Sequence, residues 1–398
     1  MTKTSITDLA MLGGEPEFSV ALHVGRPNLG SRERFSERLD RILSQRWLTN
    51  HGPFVDEFEV RLANYLGVRH CIAVCNATVA LELAIRALEL SGEVIVPSFT
   101  FVATAHALQW QQITPVFCDI DPTTHNIDPK RVEEMITPRT TGIIGVHVWG
   151  RPCAVNELSA IAERRGLKLL FDAAHAFGCA YGERLIGAFG AAEVFSFHAT
   201  KFFNTFEGGA IATNDDHLAE KLRLMKNFGF AGYDRVIHIG TNGKMSEISA
   251  AMGLTNLESL GEFIAANQRN YNLYRDLVAD LPGVRVVTYD ESVRHNFHYV
   301  ILEIDPKEAG ISRDLMVRIL HAEGVLVRRY FYPGCHRMEP YRSLFPHAYL
   351  LLPETERLTA KVISLPNGTA VRPEDVARVC EIVRLALCHG SELSRRLN

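Results

Sequence analysis

The sequence predicts an α/β protein whose larger part is a doubly wound domain built on a mostly parallel sheet. Strand-like runs between residues 70 and 214 are apolar throughout rather than alternating, which is typical of strands buried on both faces. Helical segments separate these runs, and such alternation indicates parallel strands joined by crossover helices. Beyond residue 281, shorter strands and helices follow one another, which indicates a smaller α+β domain.

We place domain limits near residues 40 and 260. Residues 1–40 are an N-terminal arm and helix, which we expect to join the small domain. Residues 41–260 form the large domain and residues 261–398 the small C-terminal α+β domain. The first thirty residues are rich in Gly and Pro and are expected to be loop-like. Pro282-Gly283 breaks the helical stretch that leads out of the large domain.

Two amphipathic helices are expected before the first strand. Ser31 can cap a helix that runs to about Gln45, with an apolar stripe at Phe35, Leu39, Ile42 and Leu43. After a turn at residues 49–53, a second helix carries apolar residues from Val55 to Tyr65 and ends at Gly67.

Strands and helices then alternate along the chain. The predicted strands of the large domain are HCIAV (70–74), EVIVP (93–97), ITPVFCDI (113–120), GIIGVHV (142–148), LKLLFD (167–172), VFSF (194–197) and GAIATN (209–214). The helices between them are expected at 78–90, 100–110, 129–136 and 155–165. The small domain follows a helical stretch from 246 to about 281, with strands at 284–289, 298–304 and 325–330 and helices at 312–323 and 373–387.

Composition argues against several classes of function. The net charge of −4 comes from 42 basic and 46 acidic residues without a basic stripe, so nucleic acid is not an expected partner. No apolar run of about 18 residues predicts a membrane span, and the first residues do not resemble a signal peptide. The eight Cys are scattered without a Cys-x-x-Cys pair, which favours reduced thiols and a cytoplasmic location. No HExxH motif or Cys/His cluster predicts a metal site.

The carboxyl ends of the predicted strands carry the candidate binding residues, because open parallel sheets bind ligands there. Asn76, Ala77 and Thr78 follow the first strand and open a helix, whose free N–H groups suit a phosphate. An ordinary helix cap by Asn76 or Thr78 is the alternative. Phe101 follows the next strand and either offers an aromatic face or packs in the core.

Two further predicted strands are followed by residues that could bind a cofactor or take part in catalysis. Asp172 ends LKLLFD and His175 follows it, while Ser196 and Lys201 follow VFSF. An isolated Lys is normally a solvated charge, but Lys201 follows an apolar stretch and is flanked by Phe202 and Phe203. Desolvation there would lower its pKa and favour the neutral amine that a Schiff base requires.

Together these residues make the set that pyridoxal phosphate needs. A Lys holds the cofactor covalently, an Asp keeps the pyridine nitrogen protonated, hydroxyls and helix N–H groups bind the phosphate, and an aromatic ring stacks on the pyridine. No P-loop or G-x-S-x-G elbow points to another chemistry.

Three stretches carry a family resemblance: FDAAHAFG (171–178), SFHATKFFNTFEGGAIATND (196–215) and GTNGKMSEISAAMGL (240–254). They resemble the DegT-type, PLP-dependent nucleotide-sugar aminotransferases of the aspartate aminotransferase fold. The resemblance extends from VGRPN (24–28) through WLTNHGP (47–53) to SLPNGTAV (364–371), with a looser match in the C-terminal third.

The resemblance implies roles around the cofactor ring. Lys201 is the Schiff-base lysine and the acid/base of the proton shift. Asp172 pairs with the pyridine nitrogen, and Phe101 stands where an aromatic residue stacks on the ring. His175 stands beside the ring hydroxyl, where many members have Gln.

It also implies a phosphate site and a homodimer with active sites at the subunit interface. Ala77, Thr78 and Ser196 bind the phosphate, and Asn242 matches an Asn that reaches the phosphate of the neighbouring subunit. Two positions depart from the family. Ala77 replaces a Gly, which is compatible only if the position needs no positive φ. Lys244 replaces an Arg, which removes a planar fork.

The implied reaction is transfer of the amino group of L-glutamate, which leaves 2-oxoglutarate, to a nucleotide-diphosphate keto-deoxyhexose. The words SFHATK and NTFEGG are most similar to members that aminate C4, so dTDP-4-keto-6-deoxyglucose would give the 4-amino-4,6-dideoxy sugar. Alternatives are C3 amination, another PLP enzyme of this fold such as a dehydratase or lyase, and a non-catalytic regulator. His198, His298, His336 and Tyr330 either line the sugar-nucleotide side or serve packing.

Overall fold

The computed structural model describes residues 3–397; Met1, Thr2 and Asn398, which belong to the predicted arm and small domain, lie outside the described residues. The strands are β1 (Leu22–His23), β2 (His70–Val74), β3 (Glu93–Pro97), β4 (Thr114–Cys118), β5 (Thr140–Val146), β6 (Lys168–Asp172), β7 (Ala180–Tyr181), β8 (Arg184–Leu185), β9 (Ala192–Ser196), β10 (Gly209–Thr213), β11 (Val284–Val286), β12 (Val300–Ile304), β13 (Val325–Leu326) and β14 (Val362–Leu365).

The α-helices follow the same order. They are α1 (Arg32–Gln45), α2 (Pro53–Leu66), α3 (Ala77–Ala87), α4 (Ala103–Gln109), α5 (Pro129–Glu134), α6 (Val155–Arg165), α7 (Asp216–Met225), α8 (Glu247–Glu258), α9 (Leu260–Val278), α10 (Pro306–Ala309), α11 (Arg313–Ala322), α12 (Tyr341–Leu344), α13 (Pro353–Thr359), α14 (Pro373–Cys388) and α15 (Gly390–Leu397).

The central sheet has the strand order β2-β10-β9-β6-β5-β3-β4. Its strands run parallel except β10, which is antiparallel to both of its neighbours, β2 and β9. The prediction of a largely parallel sheet is therefore confirmed. Because β10 runs against the others, its first residue, Gly209, lies at the same edge as the last residues of β2 and β9.

Strand β2 shows why the predicted strands are apolar throughout. Cys71 and Ala73 belong to the core beneath α2 and α8, whereas Ile72 and Val74 belong to the core with α3, α4 and α7. Successive residues of a strand point to opposite faces, so a sheet covered by helices on both faces has no polar side.

One helix of the large domain was missed, and one predicted helical stretch contains a break. Helix α7 was not predicted, although Asp215 caps it by accepting hydrogen bonds from the His217 and Leu218 N–H groups at 2.9 and 3.0 Å. It buries Leu218, Leu222 and Met225, a regular helical stripe. The helical stretch predicted from 246 to about 281 consists of two helices, α8 and α9, which meet at Ser259.

The N-terminal arm is more ordered than a loop. Strand β1 pairs in parallel with β13, and two short 3₁₀ turns at Ile6–Asp8 and Ala10–Leu12 precede it. Ile6, Leu9 and Phe18 pack into the core that α11 and α14 also line. These contacts tie the arm to the C-terminal part of the chain, whereas the domain limits at residues 40 and 260 stay predictions.

A second sheet of order β11-β12-β14 is antiparallel, and α9, α11 and α14 belong to its core. The predicted strand over 325–330 is too long, since β13 ends at Leu326 and the following residues line a cavity. Strand β14 and helices α12, α13 and α15 were not predicted. Within residues 3–397, no helix has both the length and the apolar character needed to cross a membrane.

Candidate active site

Asp172 and Ser196 lie at one edge of the central sheet because they end the neighbouring parallel strands β6 and β9. Asp172 is buried. Its Oδ2 accepts a hydrogen bond from Thr104 Oγ1 at 2.8 Å, and its Oδ1 accepts one from the Ala174 N–H at 3.1 Å. Burial raises the pKa of Asp172, while these bonds and the charge of Lys201 oppose the rise. A cation placed against this carboxylate would hold it ionised.

Lys201 lies five residues beyond the end of β9 and is half-buried, and the two residues that follow it, Phe202 and Phe203, are buried. Burial lowers its pKa from an ordinary 10.5 to about 8, with the charge of Asp172 acting in the opposite direction. Its Nζ donates a hydrogen bond to the hydroxyl of Tyr299 at 3.3 Å. The amine is therefore available in neutral form near physiological pH.

Helix α3 begins at this edge. Asn76 caps it, because its Oδ1 accepts a hydrogen bond from the Val79 N–H at 2.9 Å. Ala77 is the first helical residue, so the position needs no positive φ and Ala can stand in place of Gly. The N–H groups of Ala77 and Thr78 have no preceding helical turn to bond, so they are available to an anion. The helix cap at Asn76 is therefore compatible with an anion site at the N–H groups of Ala77 and Thr78.

Gly209 brings the start of α3 close to Ser196. It pairs with Ser196 between β10 and β9. A Cβ at Gly209 would lie 2.8 Å from the backbone N of Ala77 and 2.9 Å from the carbonyl oxygen of Phe195. Only Gly permits this approach, which explains the Gly that follows Gly208 in the lysine stretch.

Phe101 is exposed rather than packed in the core, with 57% of its surface accessible. Its carbonyl accepts hydrogen bonds from Thr104 N and Oγ1 at 3.2 and 3.1 Å. Since Thr104 also bonds Asp172, one turn of backbone ties the aromatic ring to the carboxylate. The alternative of core packing is wrong for this residue.

His175 is buried and its ring is nearly parallel to those of Trp149 and Phe331, with interplanar angles of 11° and 8°. Its Nδ1 accepts a hydrogen bond from the Trp149 N–H at 3.3 Å, which leaves the proton of the neutral ring on Nε2. Burial and the charge of Lys201 lower the pKa of His175 well below its usual value. The residue can thus donate one hydrogen bond, as the amide of Gln would.

Asn242 is exposed beside the start of α3. The carbonyl of Gly243 accepts a hydrogen bond from the Cys75 N–H at 2.8 Å and fixes this loop. Asn242 Oδ1 accepts a bond from Lys244 Nζ at 2.7 Å, and the same ammonium bonds Asn227 Oδ1 at 3.0 Å. Lys244 therefore orients the side-chain amide of Asn242.

The four remaining candidates have different environments. His336 is buried between Ser98 Oγ and Glu356 Oε1, each 2.6 Å from a ring nitrogen, so it serves packing. His198 is exposed, with its Nδ1 2.8 Å from the Thr200 hydroxyl. His298 is buried, and desolvation together with the charge of Lys201 lowers its pKa to about 3.

Tyr330 lines a cavity of about 580 Å³ between the end of β3 and helix α11. Phe101 belongs to the same lining, and its carbonyl bonds Thr104, the residue whose hydroxyl bonds Asp172. The basic residues of the lining are Arg318, Arg328, Arg329 and His321, against the single acid Asp314. Such a balance favours an anionic ligand.

Sequence reasoning missed Thr104 and Tyr299. Thr104 had a usable signal, because it lies one helical turn beyond Phe101 at the end of a predicted strand. Tyr299 had none, since it is 98 residues from Lys201 and precedes a strand of another sheet.

These groups fit pyridoxal phosphate. A neutral amine, a buried carboxylate, an exposed aromatic ring and a helix start with free N–H groups occupy one edge of the sheet. Lys201 would hold the cofactor, Asp172 would face the pyridine nitrogen, and Ala77, Thr78 and Ser196 would bind the phosphate.

Comparisons with known proteins point in the same direction. Residues 30–384 match the DegT/DnrJ/EryC1/StrS aminotransferase family. The dTDP-4-amino-4,6-dideoxy-D-glucose transaminase of Escherichia coli is 37% identical over 361 residues, covering 90% of this chain and 97% of the relative. GDP-perosamine synthase of Caulobacter vibrioides is 35% identical over 364 residues, with coverage of 90% and 96%. The crystal structure of DesI in the presence of its TDP-sugar product is 53% identical with a TM-score of 0.95, covering 98% of this chain and 99% of that chain.

Proposed function

The chain belongs to the DegT/DnrJ/EryC1/StrS aminotransferase family, and from that premise we propose that it moves the amino group of L-glutamate to C4 of a dTDP-linked 4-keto-6-deoxyhexose. The aspartate aminotransferase-like fold, the use of pyridoxal phosphate and the action on nucleotide sugars, all expected from the resemblance, are confirmed. The donor, the position of amination and the nucleotide are the proposal.

The observation that carries the proposal is the Lys201 amine with a pKa of about 8 beside Asp172. Pyridoxal phosphate, when bound, supplies the electron sink that makes the Cα–H of the donor acidic. Lys201 Nζ can accept that proton and return it, since it exchanges between amine and ammonium near neutral pH. Asp172 would supply a carboxylate to the ring nitrogen, and the Thr104 hydroxyl orients that carboxylate.

We infer that the nucleotide diphosphate occupies the cavity next to Phe101. Arg329 is already paired with Asp314 at 2.9 Å, and Arg318 donates to the carbonyl of Leu397 at 3.1 Å. The Arg328 guanidinium contacts the ring of Tyr330 at 5.5 Å and, among residues 3–397, has no carboxylate within ion-pair distance. Arg328 is thus the cation best placed to meet a diphosphate, because it loses no partner in doing so.

One relative supports amination at C4, and another supports a thymidine-diphosphate sugar as the substrate. The Escherichia coli relative is a transaminase of dTDP-4-amino-4,6-dideoxy-D-glucose, and DesI was crystallised with a TDP-sugar product. The similarity to GDP-perosamine synthase makes the GDP sugar the competing substrate.

The test is incubation of the holoenzyme with glutamate and a panel of dTDP-, UDP- and GDP-linked 4-keto-6-deoxy sugars, with the dTDP-linked 3-keto-6-deoxy sugar included as the competing position. Product NMR assigns both the carbon that carries the new amine and its axial or equatorial orientation. We expect the equatorial 4-amino-4,6-dideoxyglucose from the dTDP sugar. Amination at C3, or turnover of the GDP sugar alone, would contradict the proposal.

We further propose that the enzyme is a homodimer. The segment from Phe228 to Ile239 exposes several large apolar side chains, among them Tyr233 at 100% and Ile239 at 75%. Several exposed large apolar side chains within one short segment are typical of an interface between subunits. Asn242 follows this segment directly, which is compatible with its reaching the neighbouring active site.

A further inference from the structure

We propose that Tyr299 is a positioning residue for Lys201, whose hydroxyl holds the amine in place while it is free of the cofactor. The Tyr299 hydroxyl is 3.3 Å from Lys201 Nζ, and Nζ lies 6.0 Å from the centroid of the tyrosine ring. The proposal rests on the role assigned above to Lys201 as the residue that holds the cofactor.

The contact is exclusive on both sides. Among residues 3–397, the hydrogen bond of Lys201 Nζ is to Tyr299, and the side chain of Tyr299 bonds Lys201 in turn. Tyr299 is buried, so water does not supply an easy alternative partner to its hydroxyl. Removal of the Tyr299 hydroxyl would therefore leave Lys201 Nζ, on a half-buried side chain, without its hydrogen-bond partner.

The ring of Tyr299 is held from several directions, which fixes the hydroxyl. Its centroid lies 4.5 Å from that of His175, 4.6 Å from that of His298 and 5.3 Å from that of Trp149. The backbone carbonyl of Tyr299 accepts a hydrogen bond from the Tyr289 hydroxyl at 2.8 Å. Because the ring is already ordered, holding the amine costs little further conformational entropy.

A phenol suits an amine that changes its protonation state. The ammonium donates a proton to the phenol oxygen, and the neutral amine accepts the phenol proton instead, so the two atoms stay in contact in both states. Burial raises the pKa of Tyr299 well above its usual value, so the phenol itself stays protonated. The other titratable groups that face the amine are Asp172, His175 and His298, and burial keeps both imidazoles neutral.

Removal of the hydroxyl should lower the pKa of Lys201. A hydrogen bond from the ammonium is charge-assisted and about twice as strong as one made by the neutral amine, so its loss disfavours the charged form. We expect Tyr299→Phe to shift the midpoint of Lys201 reactivity down by roughly half to one pH unit. The matched control is Tyr274→Phe, another buried tyrosine, whose hydroxyl donates to the carbonyl of Pro366 at 3.1 Å.

The first measurement is competitive acetylation of the cofactor-free, full-length protein across pH 6–11, with the Lys201 peptide quantified by mass spectrometry. A lower midpoint in Tyr299→Phe and an unchanged one in Tyr274→Phe support the proposal. A midpoint within about 0.2 units of wild type in Tyr299→Phe overturns it. If Tyr299→Phe does not fold, Tyr299→Gln and Tyr299→Met replace it as a polar and apolar pair of similar size, and only Gln should keep the wild-type midpoint.

The second measurement is the single-turnover reaction of the holoenzyme with glutamate. Tyr299→Phe should slow the proton-transfer rate roughly tenfold without weakening glutamate binding, because the amine loses its fixed position rather than its reactivity. Equal changes in both quantities would indicate a merely structural role. Adding pyridoxal phosphate before acetylation tests the role of Lys201 separately from that of Tyr299. If the cofactor does not protect Lys201 from acetylation, Lys201 does not hold it. If the cofactor protects Lys201 but Tyr299→Phe leaves the midpoint unshifted, only the role of Tyr299 is overturned.

Discussion

At the scale of single residues, the burial of Lys201 could be predicted from its neighbours in sequence, but its hydrogen-bond partner Tyr299 could not. The apolar residues around it predicted desolvation, and its pKa of about 8 agrees with that prediction. Asp172 was also visible, since a strand-end carboxylate needs only the strand to be recognised. Tyr299 could not be found in this way, because nothing in the local pattern of HNFHYVILEI marks a side chain that reaches another sheet.

We predict that Lys201→Met stabilises the cofactor-free protein below pH 8. The pKa of Lys201 is about 8 when folded and near 10.5 when unfolded, so below pH 8 folding buries a charged amine. Allowing for its partial exposure, the variant should gain about 1–2 kcal/mol at pH 7. The gain should fade as the pH rises from 8 to 10.5, because the folded wild type then releases its proton first. Urea unfolding at pH 7 and pH 10, at equal protein concentration, measures this; an equal gain at both would contradict it.

Asp172→Asn should lower the rate of the first half-reaction with glutamate by about 10- to 100-fold. An amide cannot supply the charge-assisted hydrogen bond to the cofactor, which is worth about 1.5–3 kcal/mol. The control is Thr104→Ser, which keeps a hydroxyl that can bond Asp172 Oδ2. Stopped-flow absorbance of the bound cofactor follows the rate. A wild-type rate in Asp172→Asn would remove the carboxylate from the mechanism.

At the scale of elements, most strands and helices of the large domain were predictable because each has one dominant pattern. The antiparallel direction of β10 was not, since a five-residue apolar run has the same appearance in either direction. Helix α7 was overlooked, although Asp215 is a typical N-cap residue and the spacing of Leu218 and Leu222 is helical. The residues after Leu326 have strand-like composition, yet they line the cavity rather than pair.

Gly209→Ala tests how β10 positions the start of α3. The new Cβ would lie 2.8 Å from the backbone N of Ala77, so the helix must shift away from Ser196. We expect a loss of about 1–3 kcal/mol in stability, together with weaker binding of pyridoxal phosphate. The control is Gly261→Ala in α9, where a Cβ meets nothing within 4 Å and should be neutral or stabilising. Thermal unfolding and cofactor titration report the two effects; unchanged cofactor affinity would mean that the phosphate is bound elsewhere.

At the scale of the whole molecule, the cavity unites residues that sequence alone could not bring together. Phe101 lies in the loop after β3 of the central sheet, while Arg328 and Tyr330 follow β13. Their proximity depends on how α11 and the end of β3 face each other, which no local pattern encodes.

Arg328→Gln should weaken the binding of dTDP about tenfold or more, as expected for loss of a charge-assisted bond to phosphate. The effect should shrink at high salt, because the cavity is open to solvent. Arg342→Gln is the control, since Arg342 is exposed and pairs with Glu339 away from the cavity lining. Calorimetric titration of the holoenzyme with dTDP measures the affinity, and equal affinities in the two variants would place the diphosphate elsewhere.

If the active sites lie at the interface of a homodimer, two inactive variants should restore activity when their subunits are mixed. Lys201→Ala should inactivate its own site, whereas Asn242→Ala should impair the site of the neighbouring subunit. A heterodimer of the two variants then has one site that carries both changes and one that carries neither. Mixed and refolded subunits should therefore recover about one quarter of wild-type activity, because half of the dimers are mixed and half of their sites are intact. If Asn242 serves its own chain instead, every site contains one defect, and mixing restores nothing beyond the sum of the two parents.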